Sequence, residues 1–140
     1  MSSPLVGAWK LVTCERRSPD GDVSYPYGED VTGYLLYTDS GYMSASLMDN
    51  RRSNMPTDDL RAASAAEKAA ASDTHLSYSG RYELHEDRVV HHPEVASFPN
   101  WVGRAQERLI ELEGDTLSIS TPPLLVDGVE SRTFLVWTRA

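Results

Sequence analysis

From residue 75 to residue 84 the chain alternates without a slip. Tyr78, Gly80, Tyr82 and Leu84 fall on one side, and Ser77, Ser79, Arg81 and Glu83 on the other. A period of two marks a half-buried β-strand, because successive side chains of a strand point to opposite faces. Shorter or noisier versions recur at residues 5–15, 31–38, 42–48, 88–95, 105–112, 117–120 and 132–139, giving eight runs in all. Polar turns such as Asp39-Ser-Gly41, His85-Glu-Asp87 and Glu113-Gly-Asp115 separate several of them. Connections this short join antiparallel neighbours. The pattern predicts an all-β, up-and-down antiparallel sheet, and a sheet of eight strands removes its exposed edges by closing into a barrel.

One stretch departs from that period. Residues 57–72 are alanine-rich, with Thr57 as a candidate N-cap and acids in the first turn. Ser64-Ala-Ala-Glu67 also has the form of a capping box, where one short helix would end and a second begin. Alanine brings helix propensity but little apolar bulk, so this insertion after the third strand is expected on the surface. It either covers a flank or, over residues 58–72, acts as a lid across an open end of the barrel.

Nothing divides the chain, so residues 1–140 are expected to form one domain. A net charge of −8 and a pI near 4.9 argue against nucleic acid and against anionic membrane as partners. Cys14 is the sole cysteine, which excludes an intrachain disulfide and a thiolate metal cage. Alternation places it on the outward face of the first strand. No run of 18 apolar residues and no leader-like N-terminus is visible, so a soluble cytoplasmic protein is expected. Self-association into a homodimer stays open.

Sorting each strand by its more apolar side gives the expected interior. Gly33, Leu35 and Tyr37 are chosen in the second strand, Met43, Ala45 and Leu47 in the third, and Val89, His91, Pro93 and Val95 in the fifth. Of the adjacent histidines, His91 therefore faces inward and His92 outward. The sixth strand places Arg108 inside with Ile110 and Leu112, and the last places Leu135, Trp137 and Arg139 inside. An apolar wall with Thr13, Tyr37, Tyr78, Tyr82, His91 and Arg108 as its polar groups has the make-up of a small-molecule pocket. The other outcome is a flattened barrel filled by its own side chains.

Gly7-Ala-Trp9 resembles the Gly-x-Trp signature of lipocalins and related calycin barrels. Tyr25-Pro-Tyr-Gly-Glu-Asp30, Gly33-Tyr-Leu-Leu-Tyr37, Gly41-Tyr-Met-Ser44, Gly80-Arg-Tyr82, His91-His92 and Phe98-Pro-Asn-Trp-Val-Gly103 are similar to the short bacterial and fungal lipocalin-like domain family. The resemblance spans residues 5–139. It implies an eight-stranded lipocalin-like barrel whose floor is closed by Trp9 under an arginine near the chain end, for which Arg139 is the candidate. Relatives in the wider group include passive binders of hydrophobic molecules and cofactor-independent cyclases or isomerases.

Local chemistry then proposes the site. A buried Arg108 needs an anionic or hydrogen-bonding partner, and no inward carboxylate emerges from the sorting. That partner is a tyrosine oxygen, a backbone carbonyl, or a carbonyl, enol or acid group of a ligand. One reading is a cofactor-independent isomerase or cyclase acting on a polyketide- or terpenoid-like molecule. In it His91, Arg108, Tyr78 and Tyr82 do the acid–base and electrostatic work. Tyr37, Met43, Leu47, Phe98, Asn100, Trp101 and Leu135 would contact the ligand. The other reading is a non-catalytic binder or carrier with the same pocket, in which His91 is a satisfied interior histidine. Neither reading calls for a cofactor or a metal: His91 and His92 diverge, and no nearby residue has ligand spacing.

Overall fold

Antiparallel neighbours are joined by tight turns almost throughout. The computed structural model describes residues 3–140. Its strands are β1 (Gly7–Arg17), β2 (Val23–Ser24), β3 (Val31–Tyr37), β4 (Tyr42–Asp49), β5 (His75–Leu84), β6 (Arg88–Ala96), β7 (Gln106–Glu113), β8 (Thr116–Ser120), β9 (Leu124–Val126) and β10 (Val129–Arg139). Eight of them, in the order β1-β3-β4-β5-β6-β7-β8-β10, form the barrel, and β10 pairs back onto β1 to close it. β2 and β9 are short ribbons laid against β1 and β10. One helix, α1 (Ala65–Asp73), follows the third barrel strand. The expected barrel is present, and closure removes the edges an open sheet would expose.

One end is sealed as the Gly-x-Trp motif implies. Trp9 is fully buried and its indole Nε1 donates to the Leu5 carbonyl at 2.9 Å. The Arg139 guanidinium lies 4.1 Å from the centre of the Trp9 ring and donates to the carbonyls of Val6 and Pro4 at 2.8 and 2.7 Å. A cation over an indole face stabilises by about 0.5–2 kcal/mol. Gly7 has φ +130°, and a Cβ there would stand 2.9 Å from an Arg139 nitrogen. The glycine makes room for the arginine that covers the tryptophan.

Four local features differ from the sequence expectation. The register of β1 against β10 shifts between Leu11 and Thr13, a β-bulge. An extra residue inverts the alternation beyond it. Cys14 consequently points inward and is buried, while Thr13 is exposed. A second register shift, between Ser79 and Gly80, turns Val95 outward, although Val89, His91 and Pro93 remain inside as expected. Arg139 is exposed at the barrel end rather than interior.

The helix begins only at the second candidate start. Ser64 Oγ accepts from the Glu67 backbone N–H, and the Glu67 carboxylate accepts from the Ser64 N–H, completing the capping box. Residues 57–63 form turns instead, because the Thr57 and Asp59 side chains bond the backbone two residues on. Such bonds compete with the helix. No residue of α1 is buried.

Candidate functional site

Register divides the barrel interior into two halves. Tyr37 pairs with Gly7, Met43 with Tyr37, and Tyr82 with His91, so these side chains belong to the half sealed by Trp9. Leu47 pairs with Leu76 further along, in the opposite half. A cavity occupies that opposite half, with about 80 Å³ open to the centre of a water-sized sphere. Its wall is mostly apolar, with Leu35, Leu47, Ile119, Leu135, Trp101 and Trp137 prominent. Its polar members include Tyr78, His91, Arg108, Thr121 and Thr133.

His91 forms the floor between the halves. It is 1% exposed, and each ring nitrogen is bonded to a phenol: Nε2 lies 2.6 Å from Tyr37 Oη and Nδ1 lies 2.7 Å from Tyr78 Oη. Burial pushes the His91 pKa down to about 3, with the positive charge of Arg108 and then His92 adding to the effect. His91 is thus neutral at physiological pH. Burial also raises the Tyr37 phenol well above its ordinary value, with nearby Tyr78 and Tyr82 adding to it. Tyr78 is raised as well, again by burial, and Arg108 partly offsets this.

Arg108 enters from β7 and is 5% exposed. Its Nη1 donates to the Glu107 carbonyl at 2.9 Å, and its Nη2 reaches Gln106 Oε1 at 3.4 Å. Trp101 lies beside it, with 5.7 Å between the guanidinium carbon and the ring centre. No carboxylate forms an ion pair with it among the described residues. A buried cation with only neutral partners is an unbalanced charge at the cavity wall.

Trp101 reaches the cavity through a short 3-10 turn, Pro99–Trp101, in which its N–H bonds the Phe98 carbonyl. Its ring meets Tyr78 edge to face at 5.5 Å. Phe98 packs against Trp101 from outside, and both Phe98 and Asn100 are exposed and off the cavity wall. Of the other residues expected to touch a ligand, Leu47 and Leu135 line the cavity, whereas Tyr37 and Met43 are buried in the sealed half. Tyr82 is partly buried there too, donating to the Thr38 carbonyl at 2.8 Å, and does not reach the wall. His92 faces outward toward Glu83 at 3.2 Å, as does His85 at 3.5 Å. Helix α1 contributes nothing to the wall.

Several wall residues escaped the sequence reading. Cys14 reached the wall through the bulge, and burial pushes its thiol up to about 12. Thr121, Leu124 and Thr133 come from the neighbourhood of the β9–β10 hairpin. Its signal was present: Asp127-Gly128 between two apolar runs is a strong two-residue hairpin signature. Both residues take positive φ, 51° and 78°, as a type I′ turn requires. Gln106, which touches Arg108, is buried at the start of β7.

Barrel, sealing tryptophan and half-filled interior define a lipocalin-like protein. The chain belongs to the lipocalin-like domain family, which it matches over residues 6–140. It is 40% identical over 82 residues to the 4'-hydroxy-3'-methoxypropiophenone carrier protein of Aspergillus oryzae, in an alignment covering 52% of this chain and 74% of that one. In three dimensions it is similar to a lipocalin-like protein from Bacteroides uniformis. The TM-score is 0.51 at 14% identity, covering 99% of this chain and all of the other.

Proposed function

We propose that this protein is a non-catalytic binder or carrier of a small, largely apolar molecule with a carbonyl, enol or acid group. The observation that carries this reading is Arg108, a buried cation without a carboxylate partner on the wall of a mostly apolar cavity. An oxygen-bearing ligand would complete what the chain leaves unbalanced, and the apolar wall would hold its body. The cavity suits a single substituted ring better than a long chain. The relative in Aspergillus oryzae, named as a carrier of a substituted propiophenone, supports both the role and the scale of the ligand.

Turnover by acid–base chemistry, as an isomerase or cyclase, has weaker physical support. A general acid or base works best with a pKa near the working pH. His91 lies far below neutrality, and both its nitrogens are occupied by phenols that are themselves held protonated. The test is titration with propiophenone followed by tryptophan fluorescence, since Trp101 and Trp137 line the cavity. Saturable binding with the ligand recovered unchanged is the expected result. Absence of binding, or conversion of recovered ligand to an isomer, would overturn the carrier reading.

A further inference from the structure

The floor of the cavity contains a row of three groups, Tyr37, His91 and Tyr78, linked by two hydrogen bonds of 2.6 and 2.7 Å. Neutral imidazole carries one N–H, and each phenol one O–H. Three hydrogens therefore serve two bonds, and one phenol hydrogen must leave the row.

Only two arrangements exist. In one, His91 is protonated on Nε2 and donates to Tyr37, while Tyr78 donates to Nδ1. The Tyr37 hydrogen is then the spare one. Tyr37 is 2% exposed and its oxygen has no second hydrogen-bond partner among the described residues. That arrangement leaves a buried donor without an acceptor, at its full desolvation cost. In the other, Tyr37 donates to Nε2, His91 carries its proton on Nδ1 and donates to Tyr78, and the Tyr78 hydrogen is spare. Tyr78 is on the cavity wall.

Resting on the carrier reading, we infer that the floor is a donor site: His91 is the Nδ1–H tautomer, and Tyr78 and Arg108 together bind a carbonyl-type oxygen that carries no hydrogen of its own. Arg108 donates only, whatever it faces. Trp137, another wall residue, has a buried indole N–H with no partner, so a third unmatched polar group of the wall is also a donor. Among the described residues no carboxylate or carboxamide lines the cavity, and the hydroxyls of Thr121 and Thr133 are its remaining side-chain acceptors apart from the floor. A ketone satisfies this arrangement. An alcohol of the same shape is the weaker acceptor and brings a hydrogen that Arg108 and Trp137, as donors only, cannot receive, and a hydrocarbon leaves the donors bare.

The test uses three ligands of matched shape: propiophenone, 1-phenylpropan-1-ol and propylbenzene. Propiophenone should bind at least tenfold tighter than either of the others. Tyr78→Phe should lower ketone affinity about tenfold and leave propylbenzene affinity unchanged, so that the preference largely disappears. Independently of any ligand, long-range 1H–15N correlation spectra of the wild-type protein should place the His91 proton on Nδ1. Equal affinity for all three ligands overturns the donor-site assignment and leaves the carrier reading standing. A proton on Nε2 does the same. Binding of none of the three overturns both.

Discussion

Tyr37 Oη and His91 Nε2 lie 2.6 Å apart inside the barrel although 54 residues separate them in the chain. The contact joins β3 to β6, strands that are not neighbours, and holds the cavity floor across the interior. Replacing Tyr37 with Phe removes the hydroxyl and leaves His91 Nε2 buried without a partner. An unsatisfied buried polar group costs about 1–3 kcal/mol. Urea denaturation of Tyr37→Phe should show a loss of that size with an unchanged m-value. A midpoint equal to wild type would mean that the bond contributes nothing net.

The same burial makes stability depend on pH. His91 titrates near 6.5 in the unfolded chain and near 3 in the barrel. Between those values the unfolded chain binds a proton that the native state refuses. The contribution of neutral His91 is thus present in full above pH 6.5. It falls by up to roughly 1.4 kcal/mol per pH unit as the pH drops toward 3, and then levels off. Comparing wild type with His91→Gln at several pH values between 4 and 8 isolates this slope, since all other groups are shared. The variant should show a flatter acid limb, and parallel curves would contradict the assignment.

Filling the cavity should separate binding from folding. Ala45 is buried on the wall beside Tyr78, with which it pairs across β4 and β5. Ala45→Leu places extra methyl and methylene groups in empty space, where they gain apolar burial of about 0.8 kcal/mol per CH₂ if no neighbour is displaced. Calorimetric melting should give a Tm at or above wild type, while fluorescence titration with propiophenone should show binding lost or weakened at least tenfold. Retained affinity would locate the ligand elsewhere.

Gly80 should tolerate no side chain. A Cβ there would fall 1.9 Å from the His92 carbonyl oxygen, at the place where β5 and β6 shift register. That atom is backbone and cannot swing away, so Gly80→Ala should cost more than about 3 kcal/mol or prevent folding. Gly21→Ala is the control: its φ is +88° but nothing lies within 4 Å of the added carbon. It should cost only about 1–2 kcal/mol, from backbone strain alone. Similar losses in the two variants, measured by denaturation, would argue against the steric account.

Much of this architecture was legible because alternation is local. His75–Leu84 reads as a strand from its own residues, and an inward His91 with an inward Arg108 follows from the apolar sets around each. Position along the barrel axis was not legible. Tyr37 and Tyr82 share the inward face with Tyr78, yet the register puts them in the sealed half, so only Tyr78 meets the cavity. Bulges were hidden for a related reason. Nothing in Leu11-Val-Thr-Cys14 announces an extra residue, because the shift is set by pairing with a strand more than a hundred residues later. Partners fix register, and partners are not written in the strand itself.

β9 and its turn into β10 lie outside the ring of barrel strands: β9 pairs only with residues 129–131 at the start of β10, yet its Leu124 forms part of the cavity wall. Its residues can therefore change with little consequence for closure at β1 and β10. A lineage could retune which molecules it accepts by drift in this small flap, keeping the floor and the seal fixed. Selectivity and foldability would then evolve on separate parts of the same chain.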